Sequence, residues 1–95
     1  MLNVKIIFLS VLVDITEIEE LTLPIEDGSN IRNILEQLSS KFGKKFEEMI
    51  FKDSKELSKY VIITINGNDI RTIDGIKTRV QLNDEISFIP AIAGG

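Results

Sequence analysis

Ninety-five residues make one domain with room for a single modest core and none for a cleft between domains. The chain has no cysteine and no histidine, which removes thiol nucleophiles, disulfides, the usual structural zinc sites and the commonest general base, so an independent enzyme and a metal site are not expected. A net charge of −4 argues against nucleic acid, and with no apolar run of bilayer length and no basic leader the expected setting is the cytoplasm, away from membranes.

Leu2, Val4, Ile6 and Phe8 alternate with Asn3, Lys5, Ile7 and Leu9. The pattern predicts a first strand that becomes apolar on both faces, as a central strand does. Residues 10–16 fit either a strand continuation or one helical turn through Val11, Leu12, Val13 and Ile15, and are read as an irregular connection. Leu21, Leu23 and Ile25 alternate again, and Pro24 among them points to an edge strand. Between Lys5 and Arg32 stand Asp14, Glu17, Glu19, Glu20, Glu26 and Asp27 with no basic residue among them. That run fits a solvated acidic edge or a docking surface for a basic partner.

Gly28 marks a turn, and Ser29 or Asn30 offers a side-chain oxygen to the first free amides of a helix. Ile31, Ile34, Leu35, Leu38 and Phe42 form its single apolar stripe, and Gly43 supplies a left-handed exit. Residues 44–59 read as a short second helix and a surface loop whose lysines are solvated. The β-branched run Val61 Ile62 Ile63 Thr64 Ile65 is a strand, and Asn66 Gly67 Asn68 Asp69 is a tight turn into a short strand around residues 70–72. Residues 78–84 form a loop in which Asn83 can take a positive φ, and Glu85 to Ile89 is the last strand, with Ile86 and Phe88 inward. One helix stripe and one sheet face make an α+β domain, a mixed sheet with the helix packed across it.

The end of the chain, Pro90 Ala91 Ile92 Ala93 Gly94 Gly95, has no charged side chain, hydroxyl or amide, so its reactive group is the α-carboxylate of Gly95. Pro90 cannot donate a ladder hydrogen bond and is expected to stop the strand at Phe88 or Ile89. The chain then divides into a folded body, residues 1–89, and a flexible tail, residues 90–95, that carries the carboxylate up to ~20 Å outward. Two terminal glycines suit a backbone that must thread a narrow channel.

The run from Val61 to Ile70, then Leu82 Asn83 Asp84 Glu85 Ile86 Ser87 Phe88 Ile89 Pro90 and the ending Ala93 Gly94 Gly95, resembles the MoaD family, the small subunit of molybdopterin synthase, with its archaeal ubiquitin-like modifier and ThiS-like sulfur carrier relatives. The resemblance spans the chain in element order and implies a β-grasp fold. Ala91 and Asn83 stand where the family pattern more often has a second proline and a turn glycine. The resemblance further implies that Gly95 is adenylated by an E1-like enzyme and converted to a thiocarboxylate, with Gly94 as the slender neighbour that permits access. ATP and magnesium would be used by that activating partner, with no cofactor bound by this chain. The large subunit of molybdopterin synthase would be the second partner. The alternative is a protein modifier that joins Gly95 to lysines of target proteins, and a β-grasp interaction module with an inert terminus is a third reading.

Strand alternation also sends Ile7, Leu9, Ile62 and Ile89 to the sheet face away from the helix. With one strong helix stripe to cover the sheet, these side chains are expected to form an exposed apolar patch. Together with Pro90, Ala91, Ile92 and Ala93 they are the expected partner-binding residues. The competing expectation is that residues 11–15 or the second helix fold over that face.

Overall fold

The computed structural model describes residues 1–53 and 56–91. Its framework is a five-stranded sheet in which β1 (Leu2–Phe8) and β5 (Glu85–Pro90) lie side by side at the centre. β2 (Glu20–Ile25) borders β1, while β3 (Val61–Ile65) and the two-residue β4 (Asn68–Asp69) continue beyond β5. The β1–β5 pair is parallel and the remaining pairs are antiparallel. Pro24 therefore sits on an edge strand, where a missing donor costs no ladder bond.

Three helices close one face: α1 (Val11–Thr16), α2 (Ile31–Phe42) and α3 (Lys44–Ile50). Asn30 starts α2 through a reciprocal cap, its side chain accepting from the Asn33 amide at 3.0 Å while Asn33 accepts from the Asn30 amide at 2.9 Å. Two orphan donors at the helix start are satisfied in this way. Gly43 has φ 84 and ψ −161, so it takes the positive φ expected of it but an extended ψ, which turns the chain directly into α3. The core joins Val4, Ile6 and Phe8 of β1 to Ile34, Leu35 and Leu38 of α2, Phe46 and Ile50 of α3, and Ile86 and Phe88 of β5. At its middle the rings of Phe8, Phe42, Phe46 and Phe88 lie 5.5 to 6.1 Å apart.

Two segments differ from the sequence reading. Residues 10–16 are not irregular: α1 forms because Leu12 is fully buried in the core. Thr16 then closes the helix by donating its hydroxyl to the Ile18 carbonyl at 2.9 Å. Residues 70–72 form a 3₁₀ turn rather than a strand, since Asp69 accepts from the Arg71 amide at 2.9 Å and Ile70 turns inward to full burial. The strand after the Asn66–Gly67 turn is the short Asn68–Asp69 segment instead.

The entry to α1 carries backbone strain. Ser10 has φ 56 and ψ −132, in a turn closed by the Leu12 amide donating to the Leu9 carbonyl at 3.2 Å. This is the first central position of a type II′ turn, a place for glycine. Ser10 makes no side-chain cap bond that would compensate. Ser10→Gly is expected to stabilise the fold by about 1 kcal/mol, less than the full strain because glycine also loosens the unfolded chain. An unchanged or lower urea midpoint would show the turn to be unstrained.

Candidate functional site

β5 delivers the chain to its last residues, and the parity of its hydrogen bonds explains how Pro90 is accommodated. The Asn66 amide donates to Glu85 at 2.8 Å and the Ala91 amide to Tyr60 at 2.7 Å, so odd-numbered residues of β5 bond toward β3. Even-numbered residues bond toward β1, where the Leu9 amide donates to the Phe88 carbonyl at 3.2 Å. β1 ends there, so the ring nitrogen of Pro90 faces a side with no strand left to receive a donor. The expected stop at Phe88 or Ile89 is thus corrected: Pro90 pairs with Val61, and the ladder runs on to Ala91. Pro90 and Ala91 are half-buried. Ile92, Ala93, Gly94 and Gly95 lie outside the described residues.

The sheet face opposite the helices is graded along β5. Ile62 stands opposite Ile89, and Leu9 follows directly on β1 at the same end. One step back, Ile7 pairs with Ser87, which pairs in turn with Thr64. Farther from the tail, Lys5 is level with Glu85, and its ammonium lies 3.8 Å from Glu20. Along β5 and its two neighbours, apolar side chains therefore gather at the end where the tail leaves, and the level of Lys5 and Glu85 is charged. Ile7, Ile62 and Ile89 are half-buried, and Leu9 is 42% exposed. Leu12 of α1 and Phe46 and Ile50 of α3 belong to the core on the other face, so neither helix folds over this row.

Tyr60 belongs with these residues although the sequence reading omitted it. Its carbonyl holds the Ala91 amide, the residue is 51% exposed, and Lys59 places its ammonium 5.7 Å from the ring centroid. Extending the alternation of β3 one residue back from Val61 would have put it on the open face beside Ile62.

Among the described residues no group of three or more acidic side chains could hold a metal ion, and no helix is long and apolar enough to cross a membrane. The shifted titratable pair is Asp69 and Arg71. The guanidinium's hydrogen bonds hold the Asp69 carboxyl below its ordinary value and raise Arg71, and the pair braces the turn after β4, at the end of β3 away from the tail.

The model of the ThiS family matches residues 6–95. A candidate sulfur carrier protein from Archaeoglobus fulgidus is 35% identical over 65 residues, 68% of this chain and 73% of its own length. Small archaeal modifier protein 1 from Methanosarcina acetivorans superposes with a TM-score of 0.84 at 30% identity, over 100% of this chain and 98% of that one. Candidate subunit 1 of molybdopterin converting factor from Pyrococcus furiosus shares the fold, with a TM-score of 0.78 at 18% identity over 97% of this chain and 100% of that one.

Proposed function

The chain belongs to the ThiS family, with the β-grasp fold of its ubiquitin-like neighbours, and on that premise we propose that it is a sulfur carrier acting through the carboxylate of Gly95. The supporting observation is that the family match runs through Gly95 on a fold whose central strand leads into that segment. Its relatives are small carriers and modifiers rather than enzymes, in keeping with a chain that supplies reach and fit while a partner supplies catalysis.

In the proposed cycle an E1-like enzyme directs a Gly95 carboxylate oxygen onto the α-phosphorus of ATP, releasing pyrophosphate. The acyl-adenylate turns a poor leaving group into a good one. A sulfur donor of sulfide oxidation level then displaces AMP and leaves a thiocarboxylate. ATP and magnesium belong to the activating enzyme, and the setting is the cytoplasm. Gly94 keeps the backbone slender next to the reacting carbon. Leu9, Ile7, Ile62 and Ile89, with Pro90 to Ala93, form the surface that meets the partner. The Pyrococcus furiosus likeness supports molybdopterin assembly as the destination of the sulfur. The anionic pterin would there need basic groups from a large subunit.

A second reading is favoured by the Methanosarcina modifier, alike over the whole chain: the adenylated Gly95 is joined to lysines of target proteins. The two readings share activation and part at the acceptor. Intact mass after incubation with activating enzyme, ATP and a sulfur source is expected to rise by the difference between one sulfur and one oxygen. Lysine-linked adducts without any thiocarboxylate would replace the carrier reading with the modifier one.

A further inference from the structure

The acidic run that is continuous in sequence is divided by the fold. Glu26 and Asp27 follow Ile25, which pairs with Leu2 at the end of the sheet away from the tail. Glu17, Glu19 and Glu20 gather at the other end, where Glu20 pairs with Ile7 and the Glu19 carbonyl accepts from the Phe8 amide at 2.9 Å. All three residues are exposed, and among the described residues Lys5 pairs with Glu20 of the three. On the opposite side of the apolar row stands Lys59, over the ring of Tyr60. The tail-end row is therefore bordered by Glu20 at the start of β2 on one side and by Lys59 just before β3 on the other, with Glu17 and Glu19 exposed at the same end.

We infer that this apolar row and its acidic flank form one docking surface, for an activating protein whose matching face has an apolar centre and lysine or arginine on the side that meets β2. The inference rests on the carrier reading above and adds the chemistry and orientation of the partner. An apolar row alone fits a partner in either direction. Opposite charges on its two flanks remove one of them, because a face turned end for end would set like charge against like. The surviving orientation fixes where the tail leaves relative to the partner. Exposed rim charges act chiefly on the encounter rate and its salt dependence, whereas a partly exposed aromatic beside the exit acts on dissociation.

The test uses the full chain and the E1-like enzyme that adenylates it, with association and dissociation followed across ionic strength. The triple variant Glu17→Gln, Glu19→Gln, Glu20→Gln is expected to associate about tenfold more slowly at low salt, with a flatter salt dependence. Glu26→Gln with Asp27→Asn, also charge-neutralising but at the far end, is expected to keep the wild-type rates. Tyr60→Ala is expected to dissociate about tenfold faster with an unchanged salt slope, since its backbone carbonyl still holds Ala91. A triple variant with wild-type association and salt slope, or a far-end control that loses as much, overturns the inference while leaving the carrier reading in place. A wild-type chain that no E1-like enzyme binds or adenylates overturns the carrier reading itself.

Discussion

Removing Gly95, or adding one residue after it, is expected to lower adenylation by at least about 100-fold while leaving the melting temperature unchanged. One residue moves the carboxylate by ~3.3 to 3.6 Å along an extended chain, and a misplacement of ~1 Å from the reacting geometry already costs about 100-fold. Stability is expected to be indifferent because the core is assembled from residues up to Phe88 and the ladder from residues up to Ala91. ATP–pyrophosphate exchange with the activating enzyme reads the first effect and thermal unfolding reads the second. An extended chain that exchanges at the wild-type rate would remove the carboxylate from its proposed role.

Phe46→Ala is expected to have the largest effect on stability, about 3 to 5 kcal/mol, from lost burial and the cavity left behind. Phe46 is fully buried, and its ring lies 6.1 Å from Phe8, 5.7 Å from Phe42 and 6.0 Å from Phe88. A domain of this size has about 5 to 15 kcal/mol in all, so the variant should sit close to unfolding at moderate temperature. Lys45, exposed on the same helix, provides the comparison: Lys45→Ala should stay within about 0.5 kcal/mol. If urea titration gives Phe46→Ala a loss below about 1 kcal/mol, α3 does not hold the core as its contacts indicate.

The elements with one clear period were legible from the residues. β1, β2, β3, β5 and the stripe of α2 each repeat an apolar position at strand or helix spacing, and each lies where that spacing put it. What escaped was decided by contacts distant in sequence. Residues 10–16 fit a strand continuation or a helical turn equally and read as an irregular connection, but a single leucine between Phe8 and β2 fixes a helix by entering the core. Ile70 read as a strand residue until the cap from Asp69 turned it inward. Pro90 was misjudged because proline's effect depends on which neighbour its nitrogen faces, and that is a property of the sheet rather than of the residue. For the candidate site, alternation was enough to group Ile7, Leu9, Ile62 and Ile89 on one face. It missed Tyr60, which the Ala91 bond brings to the edge of that group.

That same bond, from the Ala91 amide to the Tyr60 carbonyl, also makes the protein a ruler. With the chain pinned at Ala91, four residues remain, and their covalent length allows at most ~13 to 14 Å rather than the ~20 Å open to a tail freed at Pro90. On the proposed carrier reading, an activating partner that grips the open face must place its ATP within that radius. The shorter tether confines the carboxylate to a smaller volume, and its effective concentration rises roughly as the −3/2 power of length. An enzyme with a deeper pocket would have to break the Ala91 bond before it could react, so activation depth and ladder fraying are coupled through one hydrogen bond.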